Sequence, residues 1–436
     1  MGSDRDNISG QAAPILSELM KDPDRMKASL WKDLCPDLSI DESKTVEPKK
    51  CPSSKALSEK RRNKLITNGF ALVDEKFDDA LITKLRNGIT ALHNKHLPAS
   101  FIFLFDEAWE LARDSQKSLS DSAHEMNCLN FDLLAWYIEN GSGGFSPHRD
   151  RQPDDAKSTF HGDGQAKFVT QWIALSDATP ENSCLHVIPK PFDPGYLDGD
   201  SEKEDPLRRS LPDKHSYQSI RAIPRQSGQS LQFTHRIIHW GSKADIDSTT
   251  PPRIAISFVC SDPSYEAPLV DPKYFTDEVN PPFRIRLLLV CAQLLIYYQR
   301  FELDKAIVKA CYDLCKANES ELEEAYRKKV FYEFVQAMKE HSNGNEEEQP
   351  NQDTKVGEIN GDDDEEEALM EEMLNSEAAG YGEFEDDYDE LDDDEEGAAP
   401  LQQDGEESSD EDEEEGVDLF SMKEGDYKPP KKKVKR

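Results

Sequence analysis

The sequence predicts an α+β fold: a two-sheet jelly roll flanked by helices, then a C-terminal helical segment and a long acidic tail. Three observations predict it. First, five short runs rich in β-formers (131–138, 167–175, 184–188, 230–233 and 253–259) are separated by Gly, Pro and Asp turns. Second, no helical pattern alternates with them, which disfavours a doubly wound parallel sheet and favours a sandwich or jelly roll. Third, helical periodicity brackets them, with Leu81, Ile82, Leu85, Ile89 and Leu92 before and an apolar stretch from Phe283 after.

The elements follow in order. Residues 1–55 read as a peripheral helix, broken at Pro23, and a Pro/Lys/Ser-rich linker. Residues 56–265 form the main domain. They open with a helix over 57–68, a strand over 70–73 and a helix over 80–96, with Gly69 marking the first change of period. Residues 266–342 are expected to form helices over 283–301, 303–318 and 320–340. Ser320 and Glu323 have the spacing of a capping box at the start of the last one.

Charge separates the rest. The chain of 436 residues carries a net charge of −37. Residues 343–427 hold 37 Asp and Glu against 2 Lys, and residues 428–436 hold six Lys and Arg, which leaves only −8 for residues 1–342. So acidic a tail cannot bury enough apolar surface to offset its ordering entropy, and disorder is expected there. No run of about eighteen apolar residues exists to span a membrane. The N-terminus has no apolar secretion core, so secretion is not expected. Eight scattered cysteines without a CxxC pair fit reduced thiols rather than a zinc ribbon.

The candidate chemistry begins at Gly144-Phe145-Ser146-Pro147-His148-Arg149-Asp150. On a strand, His148 and Asp150 share a face, because side chains alternate. An imidazole and a carboxylate so placed can hold one metal. A distant histidine would complete a facial triad with open positions for a co-substrate and dioxygen. His235 and His239 both qualify and lie four residues apart. Further on, Arg253, Ala255 and Ser257 share a strand face, and Arg253 suits a carboxylate ligand as a bidentate partner, or else a structural ion pair. Arg149 and Arg151 either meet an acidic substrate or form surface ion pairs. The acidic insertion 193–211 is either a lid or a plain surface excursion. His161 reads as a loop histidine, and His186 as facing away from the core.

These residues, with Gln171-Trp172-Ile173-Ala174 leading to Ile188-Pro189, with Asn68-Gly69-Phe70-Ala71-Leu72-Val73 and with the order His239, Gly241-Ser242, Arg253-x-Ala255-x-Ser257, resemble the phytanoyl-CoA dioxygenase-like family of Fe(II)/2-oxoglutarate oxygenases. The resemblance covers roughly residues 57–260. It implies a double-stranded β-helix (jelly-roll, cupin-like) core. His148, Asp150 and His239 would hold Fe(II), with His239 preferred over His235 because Gly-Ser follows it closely. Arg253, Trp172, Ser242 and Ser257 would bind 2-oxoglutarate. The implied activity is hydroxylation of a substrate with O2 and 2-oxoglutarate, giving succinate and CO2. Ser242 departs from the family, standing three residues after the histidine instead of two.

The basic end, residues 428–436, resembles a nuclear localisation signal and would engage an importin, placing the protein in the nucleus or in nucleus and cytoplasm. No peroxisomal Ser-Lys-Leu signal is present. The acidic tail is expected to attract basic proteins. A competing function is a nuclear interaction protein, with the oxygenase fold as scaffold. Neither a membrane nor nucleic acid is an expected partner.

Overall fold

The computed structural model describes residues 15–16, 18–41, 55–151, 159–200, 205–297 and 305–333. The expected acidic tail and basic end lie outside these residues.

Helix α1 (Lys55–Asn68) ends at Gly69, whose φ of +78° suits glycine and turns the chain into β1 (Phe70–Val73). Helix α2 (Asp79–Asn94) is capped by Asp78, whose carboxylate accepts from the Leu81 N–H at 2.9 Å. A 3-10 segment (Ala99–Leu104) leads to α3 (Asp106–Ser120). The strands are β2 (Cys128–Ile138), β3 (Phe168–Ala174), β4 (Leu185–Ile188), β5 (Arg221–Ile223), β6 (Ser230–Thr234), β7 (Ile238–Gly241) and β8 (Arg253–Ser261). Helices α4 (Phe283–Ile296) and α5 (Lys305–Ala317) follow. All five runs expected as strands are strands. The short β5 and β7 carry too few apolar positions to stand out in the sequence.

The strands form two antiparallel sheets, ordered β1-β6-β3-β8-β2 and β5-β4-β7. The five-stranded sheet has two different faces, as a period of two requires. Ile254, Ile256 and Phe258 of β8, with Leu133 and Ala135 of β2, pack into one large core with α2, α3 and α4. Ala255 of β8, with Trp172 and Phe233, packs into a second core shared with Leu185 and Val187 of β4. The expected jelly roll is therefore present, with helices covering the outside of its larger sheet.

Three expectations are corrected. Residues near the N-terminus are not peripheral: Trp31 is fully buried and stacks on Phe101 with ring centroids 5.7 Å apart. The helix expected over 320–340 does not start at Ser320. Leu322 forms a bridge with Val270, and the Glu323 N–H donates to the Leu269 carbonyl at 2.9 Å, so the chain is extended there. The helical turn begins after Glu323, whose own carboxylate caps Ala325 and Tyr326. His148 and Asp150, lastly, lie on no regular strand. Their segment touches β7 through one bridge, His148 to His239, closed by two backbone hydrogen bonds of 3.0 and 3.1 Å. Pro147, which lacks an N–H, keeps the pairing short.

Candidate metal centre

Two local devices bring the triad together. The bridge between His148 and His239 sets them side by side, with ring centroids 4.3 Å apart. Asp150 then reaches across toward β3. Its Oδ1 lies 3.8 Å from His148 Nε2 and 3.4 Å from His239 Nε2. The ligand atoms of the three residues all lie within 4.8 Å of one another, and no other such group is found among the described residues.

The surrounding hydrogen bonds prepare each group. His148 Nδ1 faces the Ser146 carbonyl at 2.7 Å, and His239 Nδ1 faces the Ile237 carbonyl at 3.2 Å. A carbonyl only accepts, so each Nδ1 carries the proton and each Nε2 offers a lone pair. Burial pushes the His239 imidazole down to about 4, so it is neutral, as a metal ligand must be. Thr170 donates its hydroxyl to Asp150 Oδ2 at 2.8 Å and leaves Oδ1 toward the histidines. Burial pushes the Asp150 carboxyl up. The nearby His239, His148 and Thr170 outweigh it and hold the group below its usual range. Two imidazoles and one carboxylate fit a facial site for Fe(II).

A cavity of about 430 Å³ opens over the triad. Its walls come from alternating positions: Leu134 and Trp136 of β2, Phe168, Thr170 and Trp172 of β3, and Arg253, Ser257 and Val259 of β8. Arg253 is the unusual member. It is 1% exposed, and its Nε and Nη2 have no hydrogen-bond acceptor among the described residues. Its guanidinium lies 5.6 Å from the Trp172 ring centroid. Burial pulls the group down to about 10, which leaves it charged at neutral pH. A buried cation with no anion beside it is costly, and an anionic ligand would repair this.

The structure thus brings His148, Asp150, His239, Trp172, Arg253 and Ser257 to one cavity. It does not bring His235, which is fully buried and directs Nδ1 to the Phe168 carbonyl at 3.2 Å. A turn at 235–237 separates His235 from β7, so the four-residue spacing places only one histidine at the triad. Ser242 lies past the end of β7 and does not line the cavity. Arg149 is a structural ion pair, bonded to Asp193 and Asp200 at 2.6 Å each. These bonds tie the 193–211 insertion beneath His148-Arg149-Asp150. His186 stacks on Trp240, 5.5 Å away, as an outward position allows. His161 is more enclosed than a free loop residue and stacks on His124 at 3.5 Å. Sequence reasoning missed Thr170, although it alternates with Trp172 on β3. It also missed Tyr297 and Lys329, which reach the cavity from distant helical segments with no motif to mark them.

A jelly roll carrying a His/Asp/His cluster, with a buried arginine in the same cavity, has the fold and the ligand set of a metal site. Residues 78–243 match the family model for phytanoyl-CoA dioxygenase (PhyH). Similar solved structures include the non-heme alpha ketoglutarate dependent epimerase SnoN from nogalamycin biosynthesis, at 19% identity and TM-score 0.37, covering 48% of this chain and 84% of that one. HygX from Streptomyces hygroscopicus, with nickel and 2-oxoglutarate bound, is 14% identical with TM-score 0.36, covering 46% and 86%. EctD from S. alaskensis in its apoform is 15% identical with TM-score 0.35, covering 52% and 84%. No curated protein sequence matches the chain.

Proposed function

We propose that this protein is an Fe(II)/2-oxoglutarate-dependent dioxygenase that hydroxylates its substrate. The observation that carries the reading is Arg253, a buried guanidinium with unpaired N–H groups in the same cavity as the triad. His148 and His239 would hold the iron through Nε2, and Asp150 through Oδ1. Arg253 would bind the distal carboxylate of 2-oxoglutarate, with the Ser257 hydroxyl as a second donor and Trp172 as a wall. Bound iron with O2 supplies the oxidant, which is formed as 2-oxoglutarate is decarboxylated to succinate and CO2. The chain positions the reactants, and Phe233, Leu185 and Val259 give the cavity apolar walls.

The test is Fe(II)-dependent release of succinate by the purified protein. His148→Ala is expected to abolish iron binding and release together. Arg253→Ala should raise KM for 2-oxoglutarate roughly 10²-fold, the equivalent of about 3 kcal/mol for a lost charged pair. Turnover indifferent to His148→Ala would sink the reading.

The basic end and acidic tail support a nuclear address read by an importin and an attraction for basic proteins. Deleting residues 428–436 should move a fluorescently tagged full-length chain from the nucleus to the cytoplasm. An unchanged distribution removes that address.

A further inference from the structure

The cavity over the triad adjoins a second one of about 550 Å³, and the two share Asp132, Arg151, Ile296, Tyr297 and Lys329. Of the residues around this vestibule, only Asp132 and Arg151 lie within the family match, residues 78–243. The others follow β8: the loop after it, the end of α4 and the turns around 323–329. The matched segment thus provides the metal ligands, while residues C-terminal to it provide most of the vestibule.

Its polar groups are unevenly matched. Arg151 bonds Glu266 at 2.6 Å twice, and its Nη2 also lies 3.5 Å from Asp132 Oδ2. Glu323 is occupied in capping Ala325 and Tyr326. Gln293 donates Nε2 to Asp132 Oδ1 at 3.1 Å. A carboxylate accepts such a bond, which fixes the amide's orientation and leaves its oxygen without a donor. That oxygen and the Tyr326 hydroxyl have no hydrogen-bond partner among the described residues, although both residues are only 2% exposed. Lys329, half-buried, makes no ion pair within 4 Å among the described residues, although its charge acts on Asp132. Interruption of β2 between Leu129 and Leu133, where Phe131 has φ +70°, sets Asp132 at the mouth. The vestibule therefore offers the unpaired Gln293 oxygen beside an Asp132 carboxylate shared with Arg151, and a donor pair, Lys329 and Tyr326.

We infer that the vestibule is the substrate site and takes a small amino-carboxylate zwitterion, its ammonium against Asp132 and Gln293 and its carboxylate against Lys329. A long apolar chain would leave these groups unpaired, which is costly for buried ones. A multiply charged anion would meet Asp132 and Glu266. Burial raises the Asp132 pKa more than Arg151, Lys329 and Gln293 lower it, so a further positive group beside it would be favourable. For its chemistry the inference rests on the oxygenase reading; for binding it does not.

The experiment titrates the full-length protein calorimetrically with each of the protein amino acids, and with glucose, acetate and citrate as contrasting probes. At least one amino acid is expected to bind, to increase succinate release and to yield a product heavier by one oxygen atom. Lys329→Met and Gln293→Leu should each weaken binding tenfold or more, while Lys329→Arg stays within threefold of the parent. Binding of no amino acid, binding only of glucose or citrate, or indifference to both substitutions overturns the inference. Should Gln293→Leu fail to fold, the half-buried Lys329 still decides the matter. Amino-acid binding without any succinate release would leave the vestibule standing and the oxygenase reading fallen; succinate release without amino-acid binding would do the reverse.

Discussion

At the residue scale, burial decides what each titratable group contributes. His235 and His239 are both enclosed, and burial lowers them to about 3 and about 4. Their ordinary value is near 6.5, so between these limits the unfolded chain binds the extra protons. Stability from keeping them neutral is thus complete above about pH 6.5 and is lost as pH falls toward 4. Each histidine should cost about 2 kcal/mol by pH 5. His235→Leu removes one of these groups without touching the triad. The parent's Tm should therefore fall further than that of His235→Leu on going from pH 7 to pH 5, read by scanning calorimetry. An equal fall in both would show that His235 is not buried as a neutral imidazole.

At the element scale, the metal site depends on how closely the 144–150 segment approaches β7. Gly241 N–H donates to the Phe145 carbonyl at 3.1 Å, and the backbones of Gly144 and Gly241 pass in contact. A Cβ at position 144 would collide with the Gly241 carbonyl oxygen. Backbone cannot swing aside as a flexible side chain does, so Gly144→Ala should lever His148 away from His239. Iron affinity is expected to fall 10–100-fold, comparable with the loss of a supporting contact at other metal sites, in a protein that still folds. Equilibrium dialysis of Fe(II) against the parent and variant measures it. Undiminished affinity would show that the two segments need not touch.

At the scale of the whole molecule, Arg149 holds the insertion to the site. Its side chain is fully buried among Asp193, Asp200 and the Arg236 carbonyl. Burial opposes the charge, but the hydrogen bonds to Asp193 and Asp200 outweigh it, and the pKa rises. Arg149→Met would leave buried Asp193 without a cation and Asp200 with only Arg209 at 3.8 Å, a loss of about 3 kcal/mol. The expected result is a fall in Tm of roughly 10 °C, with parallel loss of iron binding because Arg149 lies between two ligands. A variant as stable as the parent would reduce Arg149 to a dispensable contact.

The sequence by itself determined the described strands except β5 and β7, the jelly roll and the candidates His148, Asp150 and Arg253, with Trp172 added by the family resemblance. Their signals are local: alternation exposes a strand, and a His-x-Asp spacing or an Arg-x-Ala-x-Ser face is legible within a few residues. Only the tertiary structure decided between His235 and His239, because the turn that separates them is set by pairing with β4 and the 144–150 segment. It also decided that Arg149 is structural, since its partners lie 44 and 51 residues away. Tyr297, Lys329 and Gln293 meet the site from α4 and beyond, where the sequence shows ordinary helix. Contacts between distant segments arise from packing, and packing leaves no mark at fixed spacing in the chain.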